Sequence, residues 1–171
     1  TLRPEMTPSL ARIVSNNENI LNFPLKWFTY GRRFRYEQPQ KGRGREFFQW
    51  DIDILGPEDF TADAEIISIA ATFYKNLELT PSEVIIKIND RQFMQEELSS
   101  FKIPNSKIST IFKIIDKKNK VTKDTFEEML KSELSPSQVG SILDLITDKN
   151  AYKKSPWLTG ILKIIQQMGL S

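Results

Sequence analysis

The sequence predicts an α+β fold in which an antiparallel pair of strands precedes a mainly helical segment. Two β-prone stretches, residues 25–35 and 46–55, flank a polar loop with two glycines, an order typical of a β-hairpin. From residue 91 onward, apolar residues recur at helical spacing among many lysines. With 39% hydrophobic and 27% charged residues, the composition is that of a folded chain.

Two helices and one more strand complete the predicted first part of the chain. A helix over residues 10–14 follows the turn signals Pro8 and Ser9. A second helix is expected after Thr61, whose hydroxyl suits an N-cap. The β-branched run at 84–88 predicts another strand.

Turn residues divide the remainder into short helices. Pro104, Asn119 and Pro136 interrupt the helical pattern, and a last helix over 157–168 is followed by Gly169 as a C-cap. We therefore predict three segments: a partial catalytic-type core at 1–90, a helical domain at 91–155, and a helix at 156–171 that returns to the core.

Composition excludes several kinds of chemistry. The chain has no cysteine and no histidine, so disulfides, thiolate metal sites and a histidine base are excluded. No apolar run approaches the roughly 20 residues that span a bilayer, and the first residues do not resemble a signal peptide. We expect an intracellular protein, and the absent initial methionine predicts a fragment or a processed chain.

The two basic residue types are unevenly distributed. Seven of the eight arginines lie in the first 45 residues, whereas fourteen of the sixteen lysines come later. The arginine guanidinium binds phosphate or carboxylate with two parallel hydrogen bonds, while lysine acts as a hydrated point charge. The first third of the chain is therefore predicted to recognise anions.

The predicted hairpin carries residues suited to a nucleotide. Arg35 and Glu37 are two apart, so on a strand they share a face and can bind a phosphate and an amine. Phe47 offers a flat surface for a base, and Arg43 and Arg45 can close over further phosphates. A surface hairpin with cross-strand salt bridges explains the same pattern without a ligand.

Three other groups of polar residues have both a functional and a structural explanation. Gln49, Asp51 and Asp53 share one strand face, which suits an amine or a metal ion but also a solvated surface. The segment 3–7, which Pro4 predicts to be extended, can present an acid and a hydroxyl to a ligand, or it is a terminal loop. The lysines of 117–120 can meet a nucleic acid, or they are a solvated helix end.

Several of these segments together resemble histidyl-tRNA synthetases, which are class II aminoacyl-tRNA synthetases. The first seven residues are similar to the family's T-L-R-P-E-x-T segment, and 34–47 looks like motif 2, with its R-x-E start and R-x-F end. Residues 49–56, 63–65 and 87–91 continue the match in order. The resemblance implies part of the class II antiparallel sheet with flanking helices, followed by the family's insertion domain.

The resemblance also implies a role for individual residues. It places ATP on Arg35, Glu37, Arg43 and Phe47, with Arg35 as the catalytic residue at the α-phosphate. It places histidine on Glu5, Thr7, Gln49 and Asp53. The implied ligands and partners are ATP with Mg²⁺, histidine, tRNA(His) and, in the full-length protein, a second copy of the chain; the implied compartment is the cytoplasm, with an organelle as alternative.

The chain departs from the family pattern at both ends. Motif 1 is expected before Thr1, and the R-G-L-D-Y-Y segment and motif 3 are expected after Ser171. We therefore expect these residues alone to form no adenylate. The alternative is a catalytically inactive synthetase-like regulatory domain, as in a histidine-biosynthesis subunit or a starvation sensor; a plain RNA-binding or structural domain is a further one.

Overall fold

The computed structural model describes residues 2–170 and divides the chain into two compact units. The first unit ends at Glu78 and the second begins at Leu79. The helices and strands of the first unit are α1 (Thr7–Asn17), β1 (Leu25–Phe34), β2 (Glu46–Leu55) and α2 (Phe60–Asn76). Those of the second are α3 (Arg91–Ser100), α4 (Asn105–Ile115), α5 (Lys123–Lys131), α6 (Pro136–Thr147) and α7 (Pro156–Gln167). The mixed helix and sheet fold is confirmed.

The predicted hairpin forms, and its register sorts the side chains into two faces. β1 and β2 pair antiparallel from Leu25 opposite Leu55 to Phe34 opposite Glu46. Opposite residues share a face, and the face changes at each step along a strand. One face, here called the polar face, carries Trp27, Thr29, Gly31, Arg33, Phe47, Gln49, Asp51 and Asp53.

The other face of the hairpin carries most of its aromatic side chains and contacts α2. The Trp50 and Phe73 rings lie 5.7 Å apart, and Lys26 forms an ion pair with Glu65 of α2 at 2.7 Å. The N-cap of α2 is Asp59, whose carboxylate accepts a hydrogen bond from the Thr61 backbone N–H. The prediction that Thr61 caps this helix is therefore wrong, because Asp59, two residues earlier, occupies the N-cap position and satisfies the free amide.

The second unit is a small helical domain with its own core. Leu98, Ile111, Leu130 and Ile142 are fully buried, each from a different helix. Pro136 occupies the first turn of α6, where its missing N–H leaves no bond unmade. Gly169 has φ +66, and the bonds Gly169 N–H to Gln166 O and Leu170 N–H to Ile165 O complete a Schellman motif. The predicted C-cap is confirmed.

Two predicted elements differ in the structure. Residues 84–88 form no strand, because no partner strand lies beside them in the described part of the chain, and a β-run needs one. The first helix begins at Thr7, three residues before the predicted start, because Pro8 fits the first turn of a helix.

The predicted segment limits at residues 90 and 155 stay predictions. The division into compact units falls between Glu78 and Leu79, and the second unit includes α7. Thr1 and Ser171, which end the outer predicted segments, lie outside the described residues. No helix within residues 2–170 is both long and apolar enough to cross a membrane.

Candidate functional site

The N-terminal segment lies along the end of β1. The Phe34 N–H donates to the Arg3 carbonyl at 2.9 Å, and Arg35 Nε donates to the Pro4 carbonyl at 2.9 Å. These bonds hold the chain just before Glu5 next to Arg35, the residue predicted to bind a phosphate. Thr7 is the first residue of α1, so it belongs to a helix rather than to the extended segment that the sequence predicts.

Arg35 is held in place from three sides. Besides the Pro4 carbonyl, its Nη2 donates to Gln49 Oε1 at 3.1 Å, and its guanidinium carbon lies 5.1 Å from the centre of the Phe47 ring. An arginine has five N–H groups, and two are used by these bonds within residues 2–170. The other three remain for an anion, with the guanidinium plane already oriented.

The loop between the strands ends in a tight turn. Gln40 and Arg43 exchange two backbone hydrogen bonds, and Lys41 and Gly42 form the tip. Gly42 has φ +76, which the second central position of a type II turn requires. The turn fixes the backbone position of Arg43.

Glu37 and Arg43 contact each other in the structure. Arg43 Nε lies 2.8 Å from Glu37 Oε2, with 61% and 31% of the two side chains exposed. An ion pair this exposed is worth about 0–1 kcal/mol, so a ligand can separate it at little cost. β1 ends at Phe34, so the strand-face argument that placed Glu37 beside Arg35 does not apply, and it is the loop that positions Glu37.

Gln49 connects Arg35 to a buried ion pair on the polar face. Its amide nitrogen donates to Asp51 Oδ1, and Asp51 Oδ2 accepts from Arg33 Nη2 at 2.6 Å. Arg33 is 3% exposed, and its Nη2 also donates to Thr29 Oγ1 at 2.8 Å. Sequence reasoning missed Arg33 and Thr29, although their even spacing along β1 places them on the same hairpin face as Gln49, Asp51 and Asp53.

The two aspartates of β2 have opposite pKa shifts. Burial raises the pKa of Asp51, but hydrogen bonds from Arg33, Gln49 and Thr29 outweigh it and leave the pKa below its ordinary value. Burial, together with the negative charge of Asp51, raises the pKa of Asp53. A cation that approaches this face therefore meets one carboxylate already neutralised by Arg33 and one that lacks a cationic partner among the described residues.

Comparison with known proteins identifies the family of this arrangement. A family model described as histidyl-tRNA synthetase matches residues 1–162. The chain belongs to the histidyl-tRNA synthetase family. The predicted resemblance is thereby confirmed over most of the chain.

Two relatives named histidine–tRNA ligase are more than a third identical to the chain over the aligned residues. A chloroplastic/mitochondrial histidine–tRNA ligase of Arabidopsis thaliana is 38% identical over 87% of this chain and 31% of its own length. A histidine–tRNA ligase of Haloquadratum walsbyi is 37% identical over 86% of the chain and 35% of its own length. The chain spans about a third of the length of these relatives.

A solved histidyl-tRNA synthetase has the same fold. The crystal structure of the enzyme from a Nostoc species superposes with a TM-score of 0.82 at 21% identity, over 99% of this chain and 43% of that one. At this identity the match concerns the fold, and the roles of the individual site residues stay predictions.

The lysines of 117–120 differ in their surroundings, since one contacts the protein backbone and two are exposed to solvent. Lys118 Nζ donates to the Ile146 carbonyl at 2.8 Å, near the C-terminal end of α6, where a cation favours the helix dipole. Lys117 and Lys120 are exposed. Lys118 therefore has a structural role, and a nucleic-acid contact by this cluster would depend on the two exposed lysines.

Proposed function

We propose that the full-length protein is a histidine–tRNA ligase, to which this chain contributes the ATP-binding half of the site and part of the amino-acid pocket. The observation that carries the proposal is the held guanidinium of Arg35, three of whose N–H groups are not used by any residue from 2 to 170, beside a strand face of amide and acids. Anion and amine binders lie side by side, as an aminoacyl-adenylate requires.

The anion half would bind ATP. Arg35 would hold the α-phosphate, and its remaining N–H groups would stabilise the charge that develops there. Glu37 would accept a hydrogen bond from the adenine amine, while Arg43 would bind the outer phosphates and Phe47 would stack on the base. Both ends of the Glu37–Arg43 pair would change partner when ATP enters, which its exposure permits.

The amine half would bind histidine. Gln49 Oε1 has a second lone pair beside the one that Arg35 uses, and Asp53 offers a carboxylate without a cationic partner in the described chain. Together they would hold the α-amino group, and Glu5 and Thr7 would line the pocket beyond. The histidine carboxylate would then attack the α-phosphate in line, and pyrophosphate would leave.

Magnesium would enter with its substrate rather than with the protein. Within residues 2–170, no three histidine, cysteine or acidic side chains cluster as a metal site. Mg²⁺ commonly keeps several waters and binds substrate phosphates, so ATP itself would supply the ligands. The steps assigned to Arg35, Gln49 and Asp53 do not depend on where that ion lies.

Two assays of the full-length protein test the proposal. We expect histidine-dependent exchange of pyrophosphate into ATP and transfer of histidine to tRNA(His), with the same reactions lacking histidine as control. Histidine binding without either reaction would favour the inactive regulatory alternative. Absence of both histidine binding and exchange would overturn the proposal.

A further inference from the structure

The largely buried pair of Arg33 and Asp51 lies next to the proposed pocket but presents little free surface. The side chains of Arg33 and Asp51 are 4% and 18% exposed, and the pair is 2.6 Å apart. Arg33 Nε is buried without a hydrogen-bond partner among the described residues. Such a pair is seldom the most stable filling of a buried site, since apolar residues of similar size often do as well or better.

The contacts of Asp51 also orient the side-chain amide of Gln49. One carboxylate oxygen accepts from Arg33 and Thr29, and the other accepts from the Gln49 amide nitrogen. Gln49 Oε1 is then turned to Arg35. The reversed amide would set Nε2 against a guanidinium and Oε1 against a carboxylate, two repulsive contacts in place of two hydrogen bonds.

We propose that Asp51, held by Arg33, is a positioning residue that fixes the orientation of the Gln49 amide and so determines the affinity of the site for the α-amino group of an amino acid. The inference rests on the proposed function, because the ammonium ligand is the one assigned there. An amide oxygen attracts an ammonium group, and an amide N–H repels it. Orientation of one amide therefore decides whether Gln49 helps or opposes binding.

Replacing one carboxylate oxygen of residue 51 by an amide nitrogen reverses this chain of hydrogen bonds. In Asp51→Asn the new oxygen faces the Arg33 guanidinium, so the new amino group faces Gln49 and turns its amide around. In Arg33→Met/Asp51→Asn the cation is gone, and the asparagine can offer its oxygen to Gln49 again. Arg33→Met alone leaves the Asp51 carboxylate and hence the original amide orientation.

Histidine binding to the full-length variants, measured by calorimetry, separates positioning from stability. We expect Asp51→Asn to raise the Kd for histidine about tenfold, the loss of one hydrogen bond to a charged group. Arg33→Met should lower the melting temperature yet leave that Kd within about twofold. The double variant should restore the Kd. In both variants an oxygen atom of residue 51 still accepts from the Gln49 amide nitrogen. Glu46→Gln, on the opposite face of β2 in an exposed pair with Arg32, is the matched control.

Each other outcome has a definite meaning. Equal Kd changes in both single variants, or no change in Asp51→Asn, would overturn the positioning role. If wild type binds no histidine, the inference and the proposed function both fall. If wild type binds histidine and the variants follow the expected order but no pyrophosphate exchange occurs, the proposed ligase activity alone falls. Binding stoichiometry near one confirms in each case that the variant is folded.

Discussion

At the scale of single residues, the candidate site depends on partners that prepare a side chain before any ligand arrives. Arg35 is fixed by a backbone carbonyl, an amide oxygen and an aromatic ring, which leaves part of its fork free. A preoriented guanidinium loses little entropy when it binds phosphate. The value of Arg35 therefore lies in its planar geometry as well as its charge.

Replacing Arg35 by lysine tests this geometry. Arg35→Lys keeps the positive charge but loses the fork and the bond to the Pro4 carbonyl, so we expect kcat/KM for pyrophosphate exchange to fall about 10²- to 10³-fold. Arg32→Lys, on the opposite hairpin face, is the control and should change little. An Arg35→Lys enzyme with nearly normal exchange would contradict the assigned role.

Asp53 predicts the pH dependence of histidine binding. Burial and then the charge of Asp51 raise the pKa of Asp53, and only the ionised carboxylate attracts an ammonium group. Histidine affinity should therefore weaken as the pH falls through this raised pKa, above the value of about 4 that is ordinary for aspartate. Calorimetric titrations across that range check this, and Asp53→Asn should bind weakly without the pH step.

The same shift has a consequence for stability. A carboxyl whose folded pKa is raised stabilises the fold only at low pH, and this contribution disappears as the pH rises through the folded pKa. Asp53→Asn should therefore raise the melting temperature at pH 7 and have little effect at pH 3. A lower melting temperature of the variant at pH 7 would contradict the assigned desolvation of Asp53.

At the scale of elements, contacts at helix ends connect the helices of the second unit. Ser135 and Gln138 form a capping box at the start of α6, and Gln138 Nε2 also donates to the carbonyls of Phe101 and Lys102 at 3.1 Å. Lys102 has φ +59, so it adopts the left-handed conformation just after α3. One side chain thus satisfies backbone groups at the start of α6 and after the end of α3.

Removing the Gln138 amide tests this connection. Gln138→Ala loses the bond to the Ser135 N–H and both carbonyl contacts, so we expect the free energy of unfolding to fall by about 2 kcal/mol, at roughly 1 kcal/mol or less per bond. Urea unfolding followed by far-UV circular dichroism measures it. Ser106→Ala, in the exposed first turn of α4, should change stability little.

At the scale of the whole molecule, the apolar core is concentrated in one unit. Of the 18 buried hydrophobic residues found within residues 2–170, Leu25 and Ala64 alone belong to the first unit. The hairpin of that unit exposes Phe28, Tyr30 and Phe48. The hairpin and two helices of the first unit bury too few apolar side chains to be stable alone, whereas a helical domain with a continuous core is expected to be stable.

Separate expression of the two units checks this asymmetry. Residues 79–171 should unfold cooperatively on heating, because their core lies within the fragment. Residues 1–78 should show no cooperative transition, and the full chain is the reference for both. A sharp thermal transition in the first fragment, or none in the second, would contradict the expectation.

Patterns of short range predicted much of the fold. Strand alternation and a loop with two glycines predicted the hairpin, and Pro136 and Gly169 marked helix ends correctly, because each acts through its own backbone geometry. The predicted strand at 84–88 does not form in the structure. A strand needs a partner strand to pair with, and the local sequence does not show whether one lies nearby. Asp59, and not Thr61, is the N-cap; both residue types favour that position, so local sequence did not distinguish the two sites.

By itself, the sequence determined the family and the set of residues available to the site, because motif order and residue chemistry are properties of the chain. Only the tertiary structure decided which of them touch. The register of β1 on β2 brought Arg33 to Asp51 and Gln49 to Arg35, and the loop paired Glu37 with Arg43. The physical reason is that hydrogen bonds and ion pairs form over a few ångströms in space, whichever distance along the chain separates the partners.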